Sequence, residues 1–130
     1  MYQEDFTELI LSPGSEPLKP PISGIQEEGI FTLWTIPDTD RIYNYIEEKK
    51  PQRAIVVGGG FIGLEMAENL HLRGMDVAVV EMLDQVMAPV DFDMAQILHE
   101  HMRELGIDLH LSSKVESFEK TKQGLQATLE

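Results

Sequence analysis

The chain has 130 residues, no cysteine, and 23 acidic against 10 basic side chains, for a formal charge of −13. That length suits one domain with a genuine core, the missing cysteines exclude a disulfide scaffold, and the charge argues against nonspecific binding to nucleic acid, which needs Lys and Arg to neutralise phosphates. No apolar run approaches the roughly 20 residues of a membrane span, and the first residues carry no basic-then-apolar leader, so a cytoplasmic setting is expected.

Residues 8–11 read as a short apolar strand that breaks into a turn at 12–14. A loop follows in which Pro17, Pro20 and Pro21 favour extended or turn geometry over helix. "GIFTLW" reads as a second short strand and "IPDTDRIYNYIEEKKP" as a helix. Asp38 or Thr39 can cap that helix, Ile42 and Ile46 share a face, and Lys49 and Lys50 suit its C-terminal dipole before Pro51 stops it.

From Arg53 the pattern changes to alternating strands and helices, the signature of parallel βαβ units. "AIVV" is continuously apolar, as expected of a strand buried on both faces. Residues 61–72 form a helix in which Ile62, Met66, Ala67 and Leu70 recur at three and four, ended by Gly74. "DVAVVE" is a second buried strand. Asp91 caps a further helix with Ile97, Leu98, Met102 and Leu105 apolar and Gly106 at its end. "IDLHL" is a third parallel strand, and residues 115–130 alternate as a hairpin turning near Gly124. The expected class is α/β: a Rossmann-like parallel sheet with flanking helices and a C-terminal β-hairpin, over residues 51–130, preceded by an irregular segment and connecting helix over residues 1–50. Three parallel strands and a hairpin make less than a full doubly wound domain, so the chain is expected to be a piece of something longer.

Gly58, Gly60 and Gly63 have the G-x-G-x-x-G spacing, follow a predicted strand and open a predicted helix. The first permits a tight turn, the second lets the backbone approach a pyrophosphate, and the third allows the helix to pack closely on the strand. Free amides and the helix dipole would hold the phosphates, which lets an acidic protein bind an anionic cofactor without a lysine cradle. Glu81, about 20 residues on, ends the second strand, where a carboxylate accepts hydrogen bonds from the adenosine ribose. It would repel a 2′-phosphate, and "MLDQ" offers no arginine to accept one, so NAD(H) is expected over NADP(H). Glu65 lies in the first turns of the same helix, equally suited to a dipole-stabilised surface acid and to a cofactor contact.

Other chemistry finds little support. His99 and His101 in "HEH" point to different helix faces and cannot chelate one ion, so no metal site is expected. No G-x-S-x-G, cysteine or motif-paired Ser–His suggests a nucleophile, and no catalytic residue is assigned. Met66, Met82, Met87, Met94, Met102, Trp34 and Phe92 are expected to fill the core.

Taken in order, "LILSPGSEPLKPPISGI", "IFTLW" with "IPDTDRI", "AIVVGGGFIGLEMAENL", "VVE" and "DQVMAPVDFDMAQILHEHMRELGIDL" resemble the pyridine nucleotide-disulfide oxidoreductases, in particular the branch of coenzyme A-disulfide reductases and NADH oxidases or peroxidases. The resemblance covers nearly the whole chain but only the middle of a family member. It implies a flavoprotein in which an NADH-binding domain is inserted into an FAD-binding domain, with hydride passing from NADH to flavin and on to a disulfide, peroxide or oxygen. On this likeness residues 9–14 match the end of an FAD-domain portion, Phe61 lies over the flavin face, and Glu65 faces the nicotinamide carboxamide. The cofactor-binding set is then Gly58, Gly59, Gly60, Phe61, Ile62, Gly63, Glu65 and Glu81. The FAD fingerprint, redox cysteine and C-terminal dimerisation domain of the family are not in this sequence, and Trp34 stands where an arginine is expected. The expected partners are NADH and the FAD and C-terminal domains of a parent homodimer, with little turnover from this piece alone. The alternative is a stand-alone NAD(H)-binding or sensing module without redox chemistry.

Overall fold

The structure, a computed structural model, describes residues 3–130. Helix α1 (Ile36–Lys49) leads into β1 (Arg53–Val57), α2 (Phe61–Leu72), β2 (Asp76–Val80), α3 (Phe92–Glu104), β3 (Asp108–His110) and a hairpin of β4 (Val115–Thr121) and β5 (Gly124–Leu129). The three parallel strands stand in the order β1-β2-β3, and β4 pairs antiparallel with β5. The α/β class, the parallel sheet and the C-terminal hairpin thus match the sequence expectation.

The strands expected at residues 8–11 and 29–34 are not formed. Leu9, Ile10 and Leu11 are exposed, and neither stretch has a neighbouring strand to satisfy its backbone donors and acceptors. Residues 22–30 instead wind through successive turns, and the Phe118 N–H donates to Ser23 O, which ties this segment to β4. Gly24 packs so closely there that a Cβ would lie 1.9 Å from Phe118 O.

Helix α1 is capped by Thr35, one turn earlier than the expected Asp38 or Thr39. Pro37 sits in the first turn, where its missing N–H costs nothing, and this permits the earlier start. Asp38 reaches back instead: its Oδ2 accepts from the Trp34 N–H at 3.1 Å, the Thr35 N–H at 2.7 Å and Thr35 Oγ1 at 2.8 Å. Arg73 fastens α1 to α2, with its guanidinium 4.9 Å above the Tyr43 ring and 3.3 Å from Glu47 Oε1.

The core lies between the helices and one face of the sheet. Val56, Val77 and Val79 pack there with Ala67 and Leu70 of α2, Met102 of α3, and Met75 and Ile107. Strand β2, in the centre, buries Val77, Val79 and Val80 on both faces, as its sequence suggests. Strand β1 does not: it is an edge strand, and Ile55 and Val57 on its second face are 48 % and 55 % exposed.

Helix α2 has the expected bounds, and Gly74, with φ +84°, donates its N–H to His71 O at its end. Its buried stripe is Ala67 and Leu70, while Ile62 stays exposed. Helix α3 buries Ala95, His99 and Met102, whereas Ile97 is 62 % exposed. Counting the histidine as polar rotates the predicted face away from the true stripe, whose 4-and-3 spacing runs through His99. Of the residues expected in the core, Met87 and Met102 are buried, but Trp34, Met82, Phe92 and Met94 are exposed. Among the described residues no helix is long and apolar enough to cross a membrane.

Candidate functional site

The C-terminal end of β1 runs into Gly58, whose φ of +107° is strained for any residue with a Cβ. Its N–H donates to Val80 O at 2.8 Å, so the turn starts in register with β2. Gly60 then opens α2 as its N-cap, and no side chain caps that end of the helix. The positive end of the helix dipole therefore faces outward with unsatisfied amides.

The glycines differ in what surrounds them. A Cβ on Gly60 would meet nothing within 4 Å, so open space lies against the backbone there. A Cβ on Gly63 would lie 1.9 Å from Gly58 O and 3.5 Å from Val56 Cγ1, so the helix rests directly on the turn and on β1. Gly59 is buried, and a Cβ on it would press on Val86 Cγ1 at 2.8 Å and Glu81 Oε2 at 3.3 Å.

Glu81 follows β2 and turns its carboxylate under this loop. Oε2 accepts the Gly59 N–H at 2.7 Å, and Oε1 accepts the Leu83 N–H at 2.8 Å. Each oxygen keeps a further acceptor site. On the other side of the same residue, the Met87 N–H donates to Gly59 O at 2.8 Å. In a trans peptide the C=O and the following N–H point in opposite directions, so holding Gly59 O toward Met87 directs the Gly60 N–H outward into the open space.

The structure divides the expected site residues into two groups. Gly58, Gly59, Gly60, Gly63 and Glu81 converge at the ends of β1 and β2. Phe61, Ile62 and Glu65 instead line a groove of about 520 Å³ between α2 and α1, opposite Ile42, Tyr43 and Ile46. Phe61 is 68 % exposed at the mouth of the helix. The sequence reading missed Val86 and Met87, which support the glycine turn from the loop after β2, and His99, which holds that loop from α3. His99 accepts the Val86 N–H on Nε2 at 3.1 Å, and burial, followed by the charge of Arg103, lowers the imidazole pKa below its usual value. Their signal was faint, since a histidine among the acids of "HEHMRE" reads as surface.

Strand, glycine turn, helix and a parallel second strand ending in an acid define a Rossmann-type unit. Residues 2–130 match the family described as pyridine nucleotide-disulphide oxidoreductase, and the chain belongs to that family. It is 43 % identical over 116 residues to an NADH oxidase of Methanocaldococcus jannaschii, covering 88 % of this chain and 26 % of that protein. Against a coenzyme A disulfide reductase of Staphylococcus haemolyticus it is 34 % identical over 116 residues, covering 89 % and 26 %. The solved structure of reduced Bacillus anthracis CoADR-RHD superposes with a TM-score of 0.80 at 46 % identity, over 89 % of this chain and 22 % of that one. The chain thus spans about a quarter of the length of the relatives it matches.

Proposed function

We propose that residues 51–130 form the NADH-binding part of an FAD-dependent oxidoreductase and that residues 1–50 belong to its FAD-binding part and the connection between the two. The observation that carries this reading is the two-sided grip on Gly59, by Glu81 on its N–H and Met87 on its C=O, beneath an uncapped helix N-terminus. That arrangement fits a dinucleotide: outward amides of Gly60 and the first turn of α2 receive the pyrophosphate, and the free acceptor sites of Glu81 receive the adenosine ribose hydroxyls.

A 2′-phosphate would meet the Glu81 carboxylate with no arginine from Met82 to Gln85 to offset it, which favours NADH over NADPH. Phe61 and Glu65, displaced toward the α1 groove, are assigned to the nicotinamide end, where Glu65 orients the carboxamide and Phe61 covers the flavin side. Bound NADH supplies a hydride to the flavin of the parent enzyme. The final acceptor, whether disulfide, peroxide or oxygen, is chosen by parts of the parent outside these 130 residues. The name of the NADH oxidase relative is consistent with this nucleotide choice.

Calorimetric titration of NADH and NADPH into the purified chain tests the reading. Preferential NADH binding that weakens in Glu81→Ala supports it; equal binding of both nucleotides, or none in the parent enzyme as well, overturns it.

A further inference from the structure

We infer that His99 is a positioning residue for the glycine turn, acting through the Val86–Met87 backbone, an inference that rests on the assignment of that turn to NAD(H). His99 lies in the middle of α3 with only 1 % of its surface exposed, and its Nε2 accepts the Val86 N–H at 3.1 Å. Because Nε2 is the acceptor, the single proton of the ring sits on Nδ1 and the imidazole is neutral. The next amide in the chain, that of Met87, donates to Gly59 O at 2.8 Å. Two successive N–H groups therefore clamp the loop between α3 and the nucleotide turn.

The clamp holds an unfavourable backbone. Met87 has φ +53°, a region that residues with a Cβ rarely adopt, and it is nonetheless buried. Val86 packs against Gly59 from the same bend. Releasing the Val86 N–H would free Met87 to relax toward ordinary dihedrals, and its bond to Gly59 O would go with it. The Gly59–Gly60 peptide would then lose the constraint that turns the Gly60 N–H outward.

Protonation releases the clamp, because a charged ring carries an N–H on Nε2 and faces the Val86 N–H with a second donor. Burial, and then Arg103 one turn on, favours the neutral ring. The elements packed around the ring carry Glu100 on α3, Glu81 and Asp84 on the loop after β2, and Asp108 and His110 on β3. Glu81 is committed to the Gly59 and Leu83 amides, and the rest are exposed. With the pKa lowered, the clamp is intact at and above the usual histidine value of about 6.5 and opens only as pH falls below it.

The test is titration of NAD+, the acid-stable form, into the full chain at about pH 8 and at the lower pH where the wild-type ring, followed by NMR, is protonated, for the wild type, His99→Gln and His99→Leu. Glutamine offers an acceptor that does not titrate, whereas leucine offers none. The wild type should lose about tenfold in affinity at the lower pH, the size expected for one buried hydrogen bond. His99→Leu should be weak at both, and His99→Gln should recover most of that loss with a flatter pH profile. Other groups that titrate in this range remain in His99→Gln, so the difference isolates the ring. A wild-type profile retained in His99→Gln overturns the proposal. Independently of any ligand, the protection factor of the Val86 amide, which removes the slowing of intrinsic exchange at lower pH, should fall as the ring protonates while that of the Met102 amide stays constant. Val86 protection that ignores the ring's titration also overturns it, and failure of the wild type to bind NAD+ at either pH overturns the site assignment while leaving this second readout decisive for the clamp.

Discussion

The Glu81 carboxylate takes the N–H of Gly59 at 2.7 Å across 22 residues of chain, joining the end of β2 to the turn after β1. A charge-assisted bond of this kind contributes about 1.5–3 kcal/mol, so Glu81→Ala should weaken NADH binding by roughly 10- to 100-fold. Glu81→Gln keeps an acceptor and should fall between the two. Calorimetry reads both, and an unchanged Kd in Glu81→Ala would remove this residue from the site.

Two glycine substitutions should separate fold from binding. Gly63→Ala puts a Cβ 1.9 Å from a backbone oxygen that cannot move without reshaping the turn, and should cost about 1–3 kcal/mol or more in urea denaturation. Gly60→Ala meets open space at an ordinary φ of −80°, so its denaturation midpoint should stay near the wild type while NADH affinity drops. Equal stability losses in the two variants would contradict this division.

Lys50 closes α1 with φ +46°, the left-handed conformation in which glycine is favoured, and its N–H returns to Ile46 O. Lys50→Gly relieves that strain, offset in part by the extra freedom of glycine in the unfolded chain, and should stabilise the protein by up to about 1 kcal/mol. Thermal denaturation checks it; a lower midpoint would mean that the lysine side chain contributes more than its backbone costs.

The Asp38 carboxyl is held down to about 2, first by the Thr35 hydroxyl, then by the Thr35 N–H, with Arg41 and the Trp34 N–H adding to it. Its folded value lies below the unfolded one, so its stabilising effect is full above the ordinary value of 3.8 and lost as pH falls toward about 2. Asp38→Asn should therefore be less stable than the wild type near neutrality, with the gap closing across that acid window. Thermal midpoints of both proteins over the same pH series measure it, and a constant gap would rule out this linkage.

The glycine turn was legible because its requirements are local. A positive φ at Gly58 and a helix opening at Gly60 follow from residue types within a few positions, and Glu81 follows from the length of a βαβ unit. The bounds of α2 and the hairpin turn at residues 122 and 123 were readable for the same reason. Apolar stretches were not reliable guides in the N-terminal segment, since "LIL" and "GIFTLW" become strands only beside a partner, and none lies there among the described residues. The exposed second face of β1 likewise depends on what stands next to it, which the run "AIVV" does not encode.

By itself, then, the sequence determined the βαβ order, the glycine turn and the acid that answers it, because backbone dihedrals and helix or strand periodicity are set over a few neighbouring residues. Only the tertiary structure decided that Glu81 grips Gly59, that His99 rather than Ile97 faces inward, and that Phe61 and Glu65 turn toward α1. A buried amide must find its acceptor wherever packing brings one, and for Val86 that acceptor is 13 residues away on another element.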